Sequence, residues 1–142
     1  MGEQNQIKSV FNNSANFANK LGSRLVETEH LLFGVLCAED SIASKLLSSL
    51  GVTKENYGRV VKSIPQSISN SIGNSKVMLS KNVALIYNSV QDENANVQDV
   101  LWFLLSKKEF KSYVIISSVF GLDVNNILTK LQSSLGLNSK NK

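Results

Sequence analysis

The ten residues ETEHLLFGVL, numbers 27–36, decide the fold. Their apolar members recur at the helical spacing of three and four: Leu31, Leu32, Val35 and Leu36. The run therefore predicts a helix over about residues 29–38 with one apolar face. Threonine is a common N-terminal cap, and we expect Thr28 to cap this helix. Glu29 would then lie at the positive end of the helix dipole, and His30 would pack between helices and donate one hydrogen bond.

A glutamate beside a histidine also occurs in metal and catalytic sites. A zinc site needs three or four protein or water ligands, yet His30 is the only histidine in the chain. The HExxH pattern is absent, and Cys37 lies two helical turns from His30, too far for a hydrogen bond. The sequence predicts no catalytic residue, no metal site and no cofactor. Cys37 stands in an apolar run and is expected in the core.

Helices are also predicted on both sides of this stretch. Upstream, one helical face is formed by Ile7, Val10, Phe11, Ser14, Phe17, Ala18 and Leu21. Gly22 follows that face and is expected to end the first helix, as glycine often does. Two further helices follow downstream. Their predicted caps and stops are, in order, Asp40 or Ser41, Gly51, Thr53 and Pro65.

Composition agrees with a helical protein. The chain has 142 residues, of which 42% are apolar and 18% charged, with one proline and eight glycines. This length suits one domain with a buried core. Residues 65–75, PQSISNSIGNS, are rich in serine and asparagine and predict a linker after the fourth helix.

The helical pattern starts again after the linker, which indicates an internal repeat. Shifts of 69 and then 70 residues pair Glu29 with Gln98, Leu32 with Leu101, Gly51 with Gly121, and Thr53 with Asp123. The first repeat covers about residues 5–64 and the second about residues 76–135. We predict an all-α fold in which two pseudo-symmetric four-helix repeats pack as one domain, residues 1–142.

Charge and hydropathy exclude several classes of function. The net charge is +4, but the chain has only two arginines and its lysines are scattered, so nucleic-acid binding is not predicted. No stretch approaches the ~20 apolar residues of a membrane span, and the N-terminus lacks the order of a secretory signal. A cytoplasmic location is expected. The phosphate-binding pattern G-x-x-x-x-G-K-[ST] is absent, so no ATPase motif lies in this chain.

Residues 19–52, NKLGSRLVETEHLLFGVLCAEDSIASKLLSSLGV, resemble the first repeat of a Clp N-terminal domain. The motifs that carry the resemblance are Leu21-Gly22, Thr28 to Leu32, Gly34 to Leu36, and Leu50 to Val52. The TEHLL motif is most similar to the ClpC subfamily. The resemblance extends over roughly residues 5–135 and includes the tandem repeat.

The resemblance implies a non-enzymatic domain that recruits substrates and adaptor proteins for a ClpC-type AAA+ unfoldase, which acts with the Clp peptidase. The expected partners are adaptors, protein substrates and AAA+ rings, with the peptidase contacted indirectly. An alternative is a stand-alone accessory protein that binds and regulates the Clp complex. A longer parent gene with ATP-binding motifs would support the first role, and a stop codon after Lys142 would support the second.

Some members of the family bind phosphorylated arginine, and the acid of each TEH motif contacts the guanidinium group. Glu29 is the matching acid in the first repeat, whereas Gln98 replaces it in the second and Val97 replaces the threonine. The family's Phe-Thr pair aligns with residues 3–4 and its second threonine with about Gly73. Phosphoarginine binding by Glu29 and Gln98 is thus a hypothesis, and the expected ligand surface includes Glu29 and the groove between the repeats.

Overall fold

The computed structural model describes residues 2–66 and 77–137. Within these ranges the chain forms eight α-helices and two short strands. The helices are α1 Gly2–Lys20, α2 Thr28–Cys37, α3 Ile42–Ser49, α4 Lys54–Lys62, α5 Lys81–Ser89, α6 Val97–Leu105, α7 Lys111–Val114 and α8 Val124–Leu131. The strands are β1 Leu25–Val26 and β2 Met78–Leu79. The predicted linker lies outside the described residues except for Pro65 and Gln66, and Gly73 lies outside them too.

The all-α prediction is confirmed, and the two most apolar helices lie at the centre. Helix α2 packs against α1, α3, α4, α6 and α7. Its apolar face and that of α6 are fully or almost fully buried: Leu31, Leu32, Val35, Leu36, Val100, Leu101, Leu104 and Leu105. Burial of such side chains contributes about 1.5–3 kcal/mol each, so these two helices dominate the core.

Most predicted helix ends are confirmed. The side chains of Ser41, Thr53 and Asp123 accept backbone hydrogen bonds at the starts of α3, α4 and α8. The expected stops have positive φ angles, 75° at Gly22, 95° at Gly51 and 68° at Gly121. A residue with a Cβ rarely adopts this conformation, which explains why glycine ends each of these helices.

The cap predicted at Thr28 is wrong. Helix α2 begins at Thr28, and its N-cap residue is Glu27. The reason is that Nδ1 of His30 accepts a hydrogen bond from the backbone N–H of Glu27, at 2.9 Å, and so closes the helix start one residue earlier. The hydroxyl of Thr28 instead accepts a hydrogen bond from the backbone N–H of Ser112 on α7, at 3.3 Å. Thr28 therefore joins two distant segments.

A parallel strand pair was not predicted. Leu25 pairs with Met78 and Val26 with Leu79, so the connection after α1 is hydrogen-bonded to the segment before α5. Strands of two residues are too short to produce an alternating sequence pattern. Leu79 consequently lies in β2, before the start of α5.

The second half of the chain also departs from regular helix. The predicted third helix of this half consists of α7 followed by a π-helical turn, Ile115–Val119. A 3₁₀ turn, Gln132–Ser134, follows α8. The division of the chain into two repeats stays a prediction.

Candidate functional site

The carboxyl group of Glu29 lies in the first turn of α2 and is hardly accessible. The residue is 4% exposed, and its backbone carbonyl accepts a hydrogen bond of 2.8 Å from the hydroxyl of Tyr57 on α4. Burial raises the pKa of the Glu29 carboxyl above its usual value. A hydrogen bond from its own backbone N–H and the positive charge of Lys111 oppose this rise. A buried acid of this kind has little surface left for a ligand.

His30 is fully buried beside Glu29 and has both ring nitrogens in use. Nδ1 accepts from the N–H of Glu27, so the ring proton lies on Nε2, which donates to Oε1 of Gln66 at 2.8 Å. The amide of Gln66 in turn donates to the carbonyls of Val61 and Ile64. His30 thus connects the start of α2 to the segment that follows α4.

Gln98, at the equivalent place in α6, is covered by the chain itself. The residue is 7% exposed, and its side-chain amide donates to the carbonyl of Ser134 at 3.2 Å. Asn96, the N-cap of α6, donates to the same carbonyl at 2.9 Å. The segment that follows α8 therefore closes the start of α6.

Asp99 in α6 corresponds to His30 in α2, because the side chain of each accepts a hydrogen bond from the backbone N–H of the N-cap residue. Its carboxylate accepts from the backbone N–H of Asn96 at 2.8 Å and from that of Leu137 at 3.2 Å. His30 and Asp99 are each the third residue of their helix. His30 joins the start of α2 to the segment after α4, and Asp99 joins the start of α6 to the segment after α8. Neither contact could be predicted from the sequence, because the partners are 36 and 38 positions apart in the chain.

An open groove lies between α1, α2 and α4 and has a volume of about 680 Å³. Its floor includes the rings of Phe17 and Phe33, which stack with centroids 3.8 Å apart. Its rim carries four cations and one carboxylate: Lys20, Lys54, Arg59, Lys62 and Glu55. Neither Glu29 nor Gln98 lines this groove. It lies among helices of the first half, not between the predicted repeats where a ligand surface was expected.

Gly58 keeps the floor of the groove open. It lies inside α4, where glycine is about 1 kcal/mol less favourable than alanine. A Cβ at this position would come within 3.2 Å of Cε1 of Phe33. A longer side chain at residue 58 would extend over the Phe33 ring and fill the groove.

The prediction that Cys37 is a core residue is wrong. It is the last residue of α2, is only half-buried, and lines the groove. Burial nevertheless raises the pKa of its thiol, so the thiolate is disfavoured. Helical periodicity placed Cys37 on an apolar helix without indicating that the helix ends at the surface.

In residues 2–66 and 77–137, no group of three or more histidine, cysteine, aspartate or glutamate side chains could hold a metal ion. Over the same ranges no single helix is long and apolar enough to cross a membrane; one sharply bent pair, Lys111–Val119 with Val124–Ser134, meets that test by length and composition alone.

Replacing Glu29 by glutamine is expected to stabilise the fold at neutral pH and to have little effect at acid pH. The raised pKa means that the folded state holds a proton that the unfolded state releases, so the wild type loses stability as pH rises from the usual carboxyl pKa to the raised one. Glutamine has no such proton. Urea unfolding of both proteins between about pH 4 and 8 should show the variant's advantage growing with pH. An advantage that shrinks with pH would contradict this assignment.

The chain resembles known proteins both in sequence and in fold. A family model described as the Clp repeat (R) N-terminal domain matches residues 4–101. No curated protein matches the chain. Among solved structures, the Hsp104 N-terminal domain from Candida albicans is similar at a TM-score of 0.64 and 17% identity, over 87% of this chain and 84% of that one. A structure from preliminary structural investigations of a malarial protein secretion system is similar at a TM-score of 0.61 and 19% sequence identity. The match covers 92% of this chain and 95% of that one.

Proposed function

The chain belongs to the Clp repeat N-terminal domain family, and from this we propose that it recruits protein substrates and adaptors for an AAA+ Clp-type unfoldase. The proposed role is non-enzymatic: the domain binds a protein and delivers it, and the ring supplies ATP-driven unfolding. The ring subunit of a ClpC-type unfoldase is the proposed partner, with the Clp peptidase contacted indirectly. The cytoplasmic location stays a prediction.

The observation that carries this proposal is the groove between α1, α2 and α4. Docking of proteins uses apolar surface that is accessible before the partner arrives, commonly surrounded by polar groups. The half-buried Phe33 ring, stacked on the buried Phe17 ring, supplies the apolar surface, and the charged rim supplies the polar groups. The role of a stand-alone accessory protein uses the same surface, and whether the domain and the ring share one chain distinguishes the two.

Isolated chain 1–142 should bind an unfolded protein in the absence of ATP. The probe is a disulfide-bonded protein of near-zero net charge that has been unfolded irreversibly by reduction and alkylation of its cysteines with a neutral reagent, and the unmodified native protein is the control. Saturable binding of the unfolded form alone, measured by calorimetry, is the expected result, because only that form exposes apolar segments. Equal binding of both forms, or of neither, would contradict recruitment by this domain.

The phosphoarginine hypothesis also stays a prediction, and the geometry favours a structural role for both residues that carry it. Glu29 is buried and Gln98 is hydrogen-bonded to Ser134. A calorimetric titration of free phosphoarginine into the chain is therefore expected to give no saturable heat. Saturable heat that disappears in a folded Glu29→Gln variant would assign Glu29 to the ligand, because glutamine keeps the shape and removes the charge.

A further inference from the structure

We infer that the groove between α1, α2 and α4 binds an acidic segment of a partner protein, one that places a large apolar side chain on the Phe17–Phe33 floor. This inference rests on the proposed recruiting function and names the chemical class of the segment recruited. Three conditions must hold. The rim must be positively charged, the apolar floor must be accessible to a side chain, and other grooves of the domain must lack this combination.

The rim is positive because most of its cations have no acidic partner in the described part of the chain. Lys54 forms an ion pair of 2.9 Å with Glu39, and Glu55 is the one carboxylate on the rim. Lys20, Arg59 and Lys62 are exposed, and among residues 2–66 and 77–137 none of them forms an ion pair. Several like charges around one concave surface raise the local potential and attract the opposite charge. Carboxylates complement this rim.

The floor is open because α4 carries glycine where another residue would make a more stable helix. Gly58 gives up about 1 kcal/mol of helix propensity relative to alanine. Phe33 is half-buried and lines the groove beside Gly58, where a Cβ would lie 3.2 Å from Cε1 of its ring. Burial of an apolar side chain there would contribute about 25 cal/mol per Å² of apolar surface removed from water. The floor thus favours a segment with an apolar anchor over a segment of charges alone.

A second groove lies in the other half of the chain, beside α5 and α6. It lacks the positive rim of the first groove, so helix packing alone does not produce such a rim. It is lined by Asn82, Leu85, Ile86, Ser89, Phe103, Ser106, Lys107 and Phe110 and has a volume of about 170 Å³. The shift of 69 residues pairs Lys20 with Ser89 and Phe17 with Ile86. The second groove is smaller and carries a single cation, so the proposal concerns the first groove alone.

Nucleic acid is the other polyanion that a basic surface attracts. The groove places its cations at the rim and leaves the centre apolar, whereas contacts to a phosphate backbone follow the strand along its whole length. This arrangement favours a protein segment whose acids flank an apolar residue. A single-stranded oligonucleotide is therefore included in the test as a competitor.

The binding experiment uses a fluorescein-labelled peptide of alternating glutamate and aspartate with one central phenylalanine, titrated with chain 1–142 and followed by anisotropy. Arg59→Glu with Lys62→Glu is expected to weaken binding by at least about tenfold, because the rim changes sign. Lys45→Glu with Lys130→Glu is the matched control. It changes the net charge equally on exposed residues of α3 and α8 outside the groove, and should leave affinity unchanged.

Gly58→Leu tests the floor independently of charge. Leucine should stabilise α4 by its helix propensity and extend over Phe33, so the variant is expected to stay folded and lose the peptide. Thermal unfolding of each variant shows whether it is folded. If Gly58→Leu does not fold, the charge variants still test the inference. Arg59 and Lys62 are exposed, so their substitution is expected to leave the fold intact.

Four outcomes would overturn the inference. They are absence of peptide binding, equal weakening by the control pair, equal binding of a peptide with alanine for phenylalanine, and full displacement by an oligothymidylate of the same charge. If the acidic peptide fails to bind while the near-neutral unfolded protein binds, this inference is wrong and the recruiting function stands. If neither binds, both are wrong.

Discussion

Gly34→Ala is expected to lower the free energy of unfolding by about 3 kcal/mol, since overpacking a close-packed core costs this order of energy. Gly34 lies on α2 in close contact with α1. A Cβ there would lie 2.2 Å from Oγ of Ser14 and 2.3 Å from the backbone carbonyl oxygen of Val10. The Ser14 hydroxyl is held by a hydrogen bond of 2.7 Å to that same carbonyl. Helix α1 must therefore move away from α2.

Destabilisation by Gly34→Ala would identify a close contact between α1 and α2, because the same substitution normally stabilises a helix. In a helix without such a contact, glycine to alanine stabilises by about 1 kcal/mol. Gly58→Ala on α4 is the matched control, because its new Cβ would meet only the end of the half-buried Phe33 side chain, at 3.2 Å. Urea unfolding should show a large loss for Gly34→Ala and a small change for Gly58→Ala. A Gly34→Ala variant as stable as the wild type would contradict the α1–α2 contact.

Asp99→Ala is expected to cost about 2–3 kcal/mol and to release the segment at residues 135–137. The substitution removes a charged acceptor from the backbone N–H groups of Asn96 and Leu137, and so removes one of the two hydrogen bonds of the capping box at the start of α6. Hydrogen exchange at Leu137 should accelerate more than exchange in α2. The exchange pattern separates release of this segment from global unfolding.

The control for Asp99→Ala is Asp123→Ala at the start of α8. Asp123 also accepts a helix-start N–H, from Asn126 at 3.4 Å, but this bond is exposed. Its loss should cost about 1 kcal/mol, as for an ordinary N-terminal cap, and leave exchange at Leu137 unchanged. If the two variants have equal effects on Leu137, Asp99 does not anchor the segment after α8.

The parts of the fold that depend on local signals could be predicted from the sequence. The caps at Ser41, Thr53 and Asp123 and the stops at Gly22 and Gly121 depend on the conformational preferences of single residues. The core faces of α2 and α6 follow from helical periodicity. The order of helices is therefore encoded within short windows of the chain.

The features that could not be predicted from the sequence depend on contacts between residues that are distant in the chain. Thr28 was expected to cap α2, and its hydroxyl instead contacts Ser112, which lies 84 positions along the chain. The β1–β2 pair joins segments more than fifty residues apart. The groove was not predicted because periodicity shows that Phe33 is apolar without showing that its ring lies beside Gly58 of α4 and stays half-exposed. An interior glycine in an otherwise regular helix was the available signal.

The central claim is that this domain delivers proteins to an AAA+ ring, and ATP-dependent unfolding tests it most directly. The Clp-type unfoldase from the same source would be assayed with the domain present, either in its own subunit or as a separate chain, and with the domain removed. The substrate is a fluorescent protein that carries an unstructured segment. Removal should lower the unfolding rate several-fold while ATP hydrolysis without substrate stays unchanged. Equal unfolding rates with and without the domain would contradict the account.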